Sequence, residues 1–215
     1  MILKLRQKCV RWPMEPYCEI HNATLDQLLR WWDGSDDLPS NFEEEGLDEV
    51  AFALTKHRPE GISRLSKSLD DPDLDRRDAA ITFLAGTGTV DQRVIGAMHL
   101  AFHTGIPRLV NTVLHRCIAI GHFPFSRNDL QPFAVGPDER LAARAMVYLS
   151  HAEPDNSVAI LGDALASRNP RMREYACDEI GDRQIGELKD AMGALIADPD
   201  PDVASAAASN LPFFE

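Results

Sequence analysis

Along most of this chain apolar residues return at every third or fourth position, in short segments punctuated by Asp, Pro and Gly, which is the pattern of a series of amphipathic helices. The clearest segment is Asp198-Pro-Asp-Pro-Asp-Val-Ala-Ser-Ala-Ala-Ala-Ser-Asn-Leu211. Pro199 and Pro201 suit only a first turn, Asp200 and Asp202 favour the positive N-terminal end, and Val203, Ala207 and Leu211 recur at fours. One stripe of that helix is apolar. A single short helix cannot bury such a stripe alone, so neighbours of the same shape must stack against it.

Those neighbours are present. Asp71 to Leu84 aligns with Asp198 to Leu211 without a gap, setting Pro72 on Pro199, Ala80 on Ala207 and Leu84 on Leu211. Asn169 to Ile180 places Met172, Ala176 and Ile180 on the stripe, and Pro137 to Leu149 places Leu141, Ala145 and Leu149 there. Pro107 to Cys117 is a weaker copy, with Leu109 and Val113. The step between neighbours is about thirty residues. Amphipathic segments at Gly61–Leu69, Asp91–Phe102, Ser157–Ala166 and Ile185–Ile196 precede four of the copies, so the unit is a helical hairpin. In the remaining gap, Pro124 and Pro132 interrupt Ser126–Ala134, and an irregular turn is expected.

Ahead of the repeats, Asn22 to Gly34 reads as a helix: Asn22 or Thr24 can cap it, Leu25, Leu28, Leu29 and Trp32 form its stripe, and Gly34 stops it. Between Arg30 and Lys56 there is no basic residue, while Asp33, Asp36, Asp37, Glu43, Glu44, Glu45, Asp48 and Glu49 crowd together. The second half of this acidic run continues as a helix with Leu47, Val50, Ala51 and Leu54 on one side. Residues 1–13 carry four cations and no acid, and their pattern fits either a short edge strand or an arm.

The arrangement resembles the HEAT-like repeats of the phycobilisome-lyase type, whose second helix opens Asp-Pro-Asp-Pro-x-Val-Arg and runs through alanines to a leucine, as Asp198 to Leu211 does. The resemblance spans roughly residues 58–215. It implies an all-α fold, a right-handed alpha-alpha superhelix of hairpins continuing as one solenoid, with residues 1–57 as an N-terminal arm and acidic helical cap. It implies no single function, because such repeats serve scaffolds, inhibitors and a few enzymes. Two positions depart from the pattern. Arg76 stands in the valine slot, and Ala204 replaces the arginine found in that slot as Arg77 and Arg173, so a ladder of charges between repeats is expected to stop at the C-terminal end.

The formal net charge of -12 turns this architecture toward a basic protein partner and away from nucleic acid, which demands clustered Lys and Arg. Cys9, Cys18, Cys117 and Cys177 lack any Cys-x-x-Cys spacing and read as reduced thiols in a cytoplasmic protein. No apolar run approaches a membrane span.

Candidate chemistry is thin. Asp71, Asp73 and Asp75, like Asp198, Asp200 and Asp202, have the opening spacing of a calcium loop, but Arg76 and Val203 replace its glycine and Thr82 and Ser209 its glutamate, so capping explains both runs. His99 and His103, with His115 and His122, lack a third ligand at metal spacing and read as surface histidines. No catalytic set, metal or cofactor site emerges. The leading expectation is a non-catalytic scaffold or inhibitor, such as an immunity protein or adaptor, binding through an acidic surface that includes Trp31, Asp36, Asp37, Glu43, Glu44, Asp75, Asp78, Arg140, Glu174 and Asp178. Of Trp31 and Trp32, adjacent on one helix, one is expected to be at least partly exposed as an anchor, against the alternative that both cover the core. Two rivals remain: an enzyme similar to the repeat-containing chromophore lyases, acting on a protein-bound tetrapyrrole with His99, His103 or Arg116 as its anchor, and a protein similar to the HEAT-like DNA glycosylases, which the acidic balance disfavours.

Overall fold

Helix caps set the boundaries of the fold. A computed structural model describes residues 18–38, 46–87 and 92–214, and all regular structure among them is helical. In chain order the α-helices are α1 (Cys18–His21), α2 (Leu25–Asp33), α3 (Gly46–Thr55), α4 (Glu60–Lys67), α5 (Leu74–Gly86), α6 (Gln92–His103), α7 (Pro107–Ile120), α8 (Arg127–Ala134), α9 (Glu139–Ala152), α10 (Ser157–Leu165), α11 (Pro170–Asp182), α12 (Lys189–Ala194) and α13 (Pro201–Asn210). The basic segment 1–13 and residues 39–45 of the acidic run lie outside the described residues.

The Asp-Pro-Asp runs act as caps. Asp73 accepts the backbone N–H groups of Asp75 and Arg76 at 2.9 and 3.2 Å, and Asp200 those of Asp202 and Val203 at 3.0 and 3.3 Å. Asp138 and Asn169 do the same for α9 and α11. Arg76, the residue in the valine slot, turns its guanidinium back onto Asp71 and Asp73 at 3.2 and 3.3 Å, so the missing valine becomes a local ion pair. Thr24 caps α2, and Gly34 ends it in the left-handed region at φ 70°, where a side chain would be strained.

The chain forms two compact units, residues 1–99 and 100–215. In the first, α3 packs on α2, α4 and α5, so the helix that closes the acidic run meets α5 side by side. In the second, α7, α9, α11 and α13 form a row of consecutive neighbours, and α8, α10 and α12 pack against it. The seam is the alanine position of each copy: Ala80, Ala145, Ala176 and Ala207 are all fully buried. Small residues there let the helix backbones approach closely.

The width of the buried face varies with position in the row. The terminal helix α13 buries Val203, Ala207 and Asn210, the single stripe that its sequence suggests. The central helix α9 buries Leu141, Ala142, Ala143, Ala145, Met146, Val147, Tyr148, Leu149 and Ser150, because α7, α8, α10 and α11 surround it.

Two segments differ from the sequence expectation. Ser126–Ala134 is the helix α8 rather than an irregular turn: Ser126 and Asp129 form a reciprocal capping box, and Phe125 donates its backbone N–H to the buried Tyr148 hydroxyl at 2.9 Å. These contacts outweigh the one backbone hydrogen bond that Pro132 removes. Ile185–Ile196 is broken into the short α12 flanked by 3-10 turns at Gly186–Leu188 and Leu195–Ala197, with glycines 186 and 193 weakening the helix.

Candidate functional site

The residues expected at the surface divide sharply. In the N-terminal unit Asp36 and Asp37 are exposed, Asp36 held by Arg30 at 3.1 Å and by the Gln27 amide at 3.1 Å. Asp75 is exposed as well. Glu43 and Glu44 lie outside the described residues. Trp31 is a correction: it is 8% exposed and Trp32 0%, so neither serves as an exposed anchor. Consecutive helical side chains diverge by about 100°, but α2 is flanked by both α3 and α4, and Trp32 donates its indole N–H to the buried Ser68 hydroxyl at 3.0 Å. Asp78 is a second correction. It is only 9% exposed because α5 buries the consecutive residues Asp78, Ala79, Ala80 and Ile81 between α3 and α4.

In the C-terminal unit Arg140, Glu174 and Asp178 are all on the row of second helices, and the two acids are tied into bonds between successive copies. Arg171 reaches Glu174 at 2.6 Å and Asp202 of the next copy at 3.0 Å. Asn210 donates to Asp178 at 2.9 Å. Arg173 is the rung that the sequence pattern calls for. It forms a bidentate pair with Asp198, 2.8 Å on each arm, and also donates to the Ser167 carbonyl at 2.8 Å. Its side chain is 12% exposed and that of Asp198 4%. Arg173 holds the Asp198 carboxyl below its usual range, while burial, helped by Glu174, Asp182 and Glu179, lifts that of Asp178. His151 meets Glu179 at 2.7 Å. Beyond Ala204 the arginine rung ends.

The other half of the same row carries the opposite charge. From Gln92 to Asn128 there is no acid at all, while four arginines and four of the seven histidines fall there. Residues 100–152 hold five arginines against three acids, and residues 153–215 thirteen acids against five bases. Arg108 and Asn111 of α7, Asp138, Arg140 and Leu141 at the start of α9, and Tyr175 of α11 line an open groove of about 410 Å³. One turn along α9, the Arg144 guanidinium lies over the Tyr175 ring, 5.1 Å from its centre. Burial, then Arg144 and Arg116, push the His115 imidazole below its ordinary value. In the sequence Arg140 was a candidate for the binding surface, and His115 and Arg116 were candidates only for a metal and for a tetrapyrrole. The acid-free window would have pointed to the rest, but an overall charge of -12 hides it.

A second, more apolar pocket of about 300 Å³ lies among α8, α9 and α10, lined by Ala134, Met146, Leu149, Ile160, Ala164 and Met172 with Arg127, Asp163 and Ser167. Neither cavity is lined by His99, His103 or Arg116, the anchors that a tetrapyrrole would need. Among the described residues, no three His, Cys, Asp or Glu side chains gather closely enough to hold a metal ion. Cys117 and Cys177 are unbridged and buried, and burial pushes both thiols up to about 12, far from a reactive thiolate.

No protein-family model matches the chain, and no curated protein matches it. Among solved structures it is similar to a designed armadillo repeat protein, at 15% identity over 89% of this chain and 100% of that one, with a TM-score of 0.40. Among the described residues the fold is all-α and built of repeated helical hairpins, and no described helix is long and apolar enough to cross a membrane.

Proposed function

We propose that this is a non-catalytic binding protein of the cytoplasm that captures a basic protein partner on carboxylates left free by the packing of its repeats. The observation that carries the reading is how the acids of the C-terminal unit are divided. Those at the repeat junctions, Glu174, Asp198 and Asp202, are paired with arginines. Asp155, Asp163, Asp182, Glu187 and Asp190 are exposed and have no ion-pair partner among the described residues. In the N-terminal unit Asp37 adds exposed charge, while Asp36, also exposed, is paired with Arg30.

Unpaired carboxylates on a rigid helical frame steer a cationic partner and accelerate its arrival. Such a surface suits an inhibitor, an immunity protein or an adaptor that covers a basic effector. The test is recovery of partners on the immobilised protein at low and high salt, compared with a variant carrying Asp163→Lys, Glu187→Lys and Asp190→Lys. A basic polypeptide retained by the parent at low salt, released by high salt and missed by the variant is the expected result. A partner held equally by both proteins and at both salt concentrations would contradict it.

A further inference from the structure

Two consecutive first helices of the C-terminal unit, α8 and α10, both pack on α9 and leave an open pocket between them. α8 is eight residues long and ends at Ala134, and α10 presents Ala164, so small side chains stand on both helices and about 300 Å³ stays unfilled. Met146 and Leu149 of α9, each nearly buried, form the floor, and the half-buried Ile160 and Met172 form walls. Three polar side chains line the same pocket, and two of them are engaged. Arg127 gives both arms to Glu153 at 3.2 and 2.7 Å. The Ser167 hydroxyl donates to the Met172 sulfur at 3.3 Å and accepts the Asn169 backbone N–H at 3.2 Å. The third, the Asp163 carboxylate, is exposed and has no partner among the described residues.

We propose that this pocket is the anchor point of the acidic surface, and that it takes a large apolar side chain which the basic partner carries next to a lysine or arginine. The inference rests on the basic-partner reading and adds what charge alone does not supply, the selection of one segment of a cationic chain. The apolar side chain covers Met146, Leu149 and Met172, and the neighbouring cation meets Asp163. An apolar anchor seated in a pocket supplies affinity, and a charge at its rim fixes orientation. The two methionines, unbranched and polarisable, adapt to anchors of different shape.

The charge at the rim decides between occupants. With Arg127 held by Glu153, the charge left over in the lining is the Asp163 carboxylate, so a fatty acid or an acidic peptide meets repulsion and a neutral apolar molecule leaves the carboxylate unused. A cationic segment satisfies both halves of the site. Its flanking charges are also drawn toward residues 153–215, which carry thirteen acids against five bases.

The experiment is fluorescence polarisation of the full chain at low salt with two fluorescein-labelled peptides of equal charge, octalysine and octalysine with one leucine inserted at its centre. The leucine peptide is expected to bind about tenfold tighter. Ala134→Phe, which fills the pocket, is expected to bring the leucine peptide down to the affinity of octalysine. Asp163→Asn is expected to weaken the leucine peptide by a larger factor than octalysine. Asp163 is exposed, so this variant keeps the fold and decides the matter should Ala134→Phe prove unstable; its circular dichroism should match the parent's. Equal binding of the two peptides by the parent would overturn the pocket and leave the acidic surface standing, and binding of neither would overturn both. A leucine preference that survives Ala134→Phe, or equally tight binding of octaglutamate with the same inserted leucine, would also overturn the proposal. So would a dimer in sedimentation that Ala134→Phe dissociates, which would assign the pocket to a second copy of the chain.

Discussion

Within the C-terminal unit, α11 and α13 use their charges on each other, while Asp163 of α10 and Asp190 of α12 are exposed and have no ion pair among the described residues. Between α11 and α13 three side-chain pairs reach across the repeat junction: Arg173 to Asp198, Arg171 to Asp202, and the Asn210 amide to Asp178. The same helical frame thus supports two uses of charge. Where opposite charges alternate between copies they lock the stack, and where one sign accumulates it is available to a partner.

The largest expected effect separates the middle of the row from its end. Ala145→Leu forces a larger side chain into a site enclosed on all sides by other helices and should cost about 3 kcal/mol in urea unfolding. Ala207→Leu should cost clearly less, because α13 buries only Val203, Ala207 and Asn210 and is less enclosed than α9. Equal costs would mean that the end helix is held as firmly as the centre.

The next effect sets a locking pair against a free charge. Asp198→Ala leaves the mostly buried Arg173 without its carboxylate and should destabilise by about 2 kcal/mol. Arg140→Ala, on an exposed position, should stay within about 0.5 kcal/mol. The Asp198 contribution carries a pH signature. Its folded carboxyl lies below the ordinary value, so the stabilisation is complete above the unfolded value near pH 4 and disappears as pH falls through the lower folded value. The gap between parent and Asp198→Ala in thermal midpoint should therefore close in acid.

The smallest effect has the opposite sign. The Asp178 carboxyl lies above its ordinary value, so ionisation there opposes folding, and folding gains as the pH falls and the group is protonated. Asp178→Asn keeps an acceptor for Asn210 and removes the charge. A slight rise in thermal midpoint at neutral pH, vanishing in acid, is expected, and a fall would contradict the sign.

Much of the frame was legible in the sequence because its signals are local. Asp73, Asp138, Asn169 and Asp200 mark helix starts by chemistry that acts within three residues, and the alanine of each copy marks the seam by spacing alone. Exposure was less legible because it depends on what lies across from a side chain. Nothing within α2 says that α3 and α4 will cover both sides of it and so bury Trp31, and nothing within α5 says that Asp78 will be enclosed. The helix at α8 was hidden for a similar reason: Pro132 is a local signal against it, whereas the Tyr148 hydroxyl that receives Phe125 comes from the following helix, α9. The basic groove needed both kinds of information, the acid-free window in the sequence and the packing that brings Arg140, Arg144 and Tyr175 together.

The most direct measurement of this division of charge is polarisation of a labelled octalysine probe at low salt against the parent, Asp198→Ala, and the triple Asp163→Lys, Glu187→Lys, Asp190→Lys variant. The account predicts that the triple variant weakens the probe and that Asp198→Ala, which removes a carboxylate already held by Arg173, leaves it unchanged. Equal loss in both variants, or loss in neither, would contradict it.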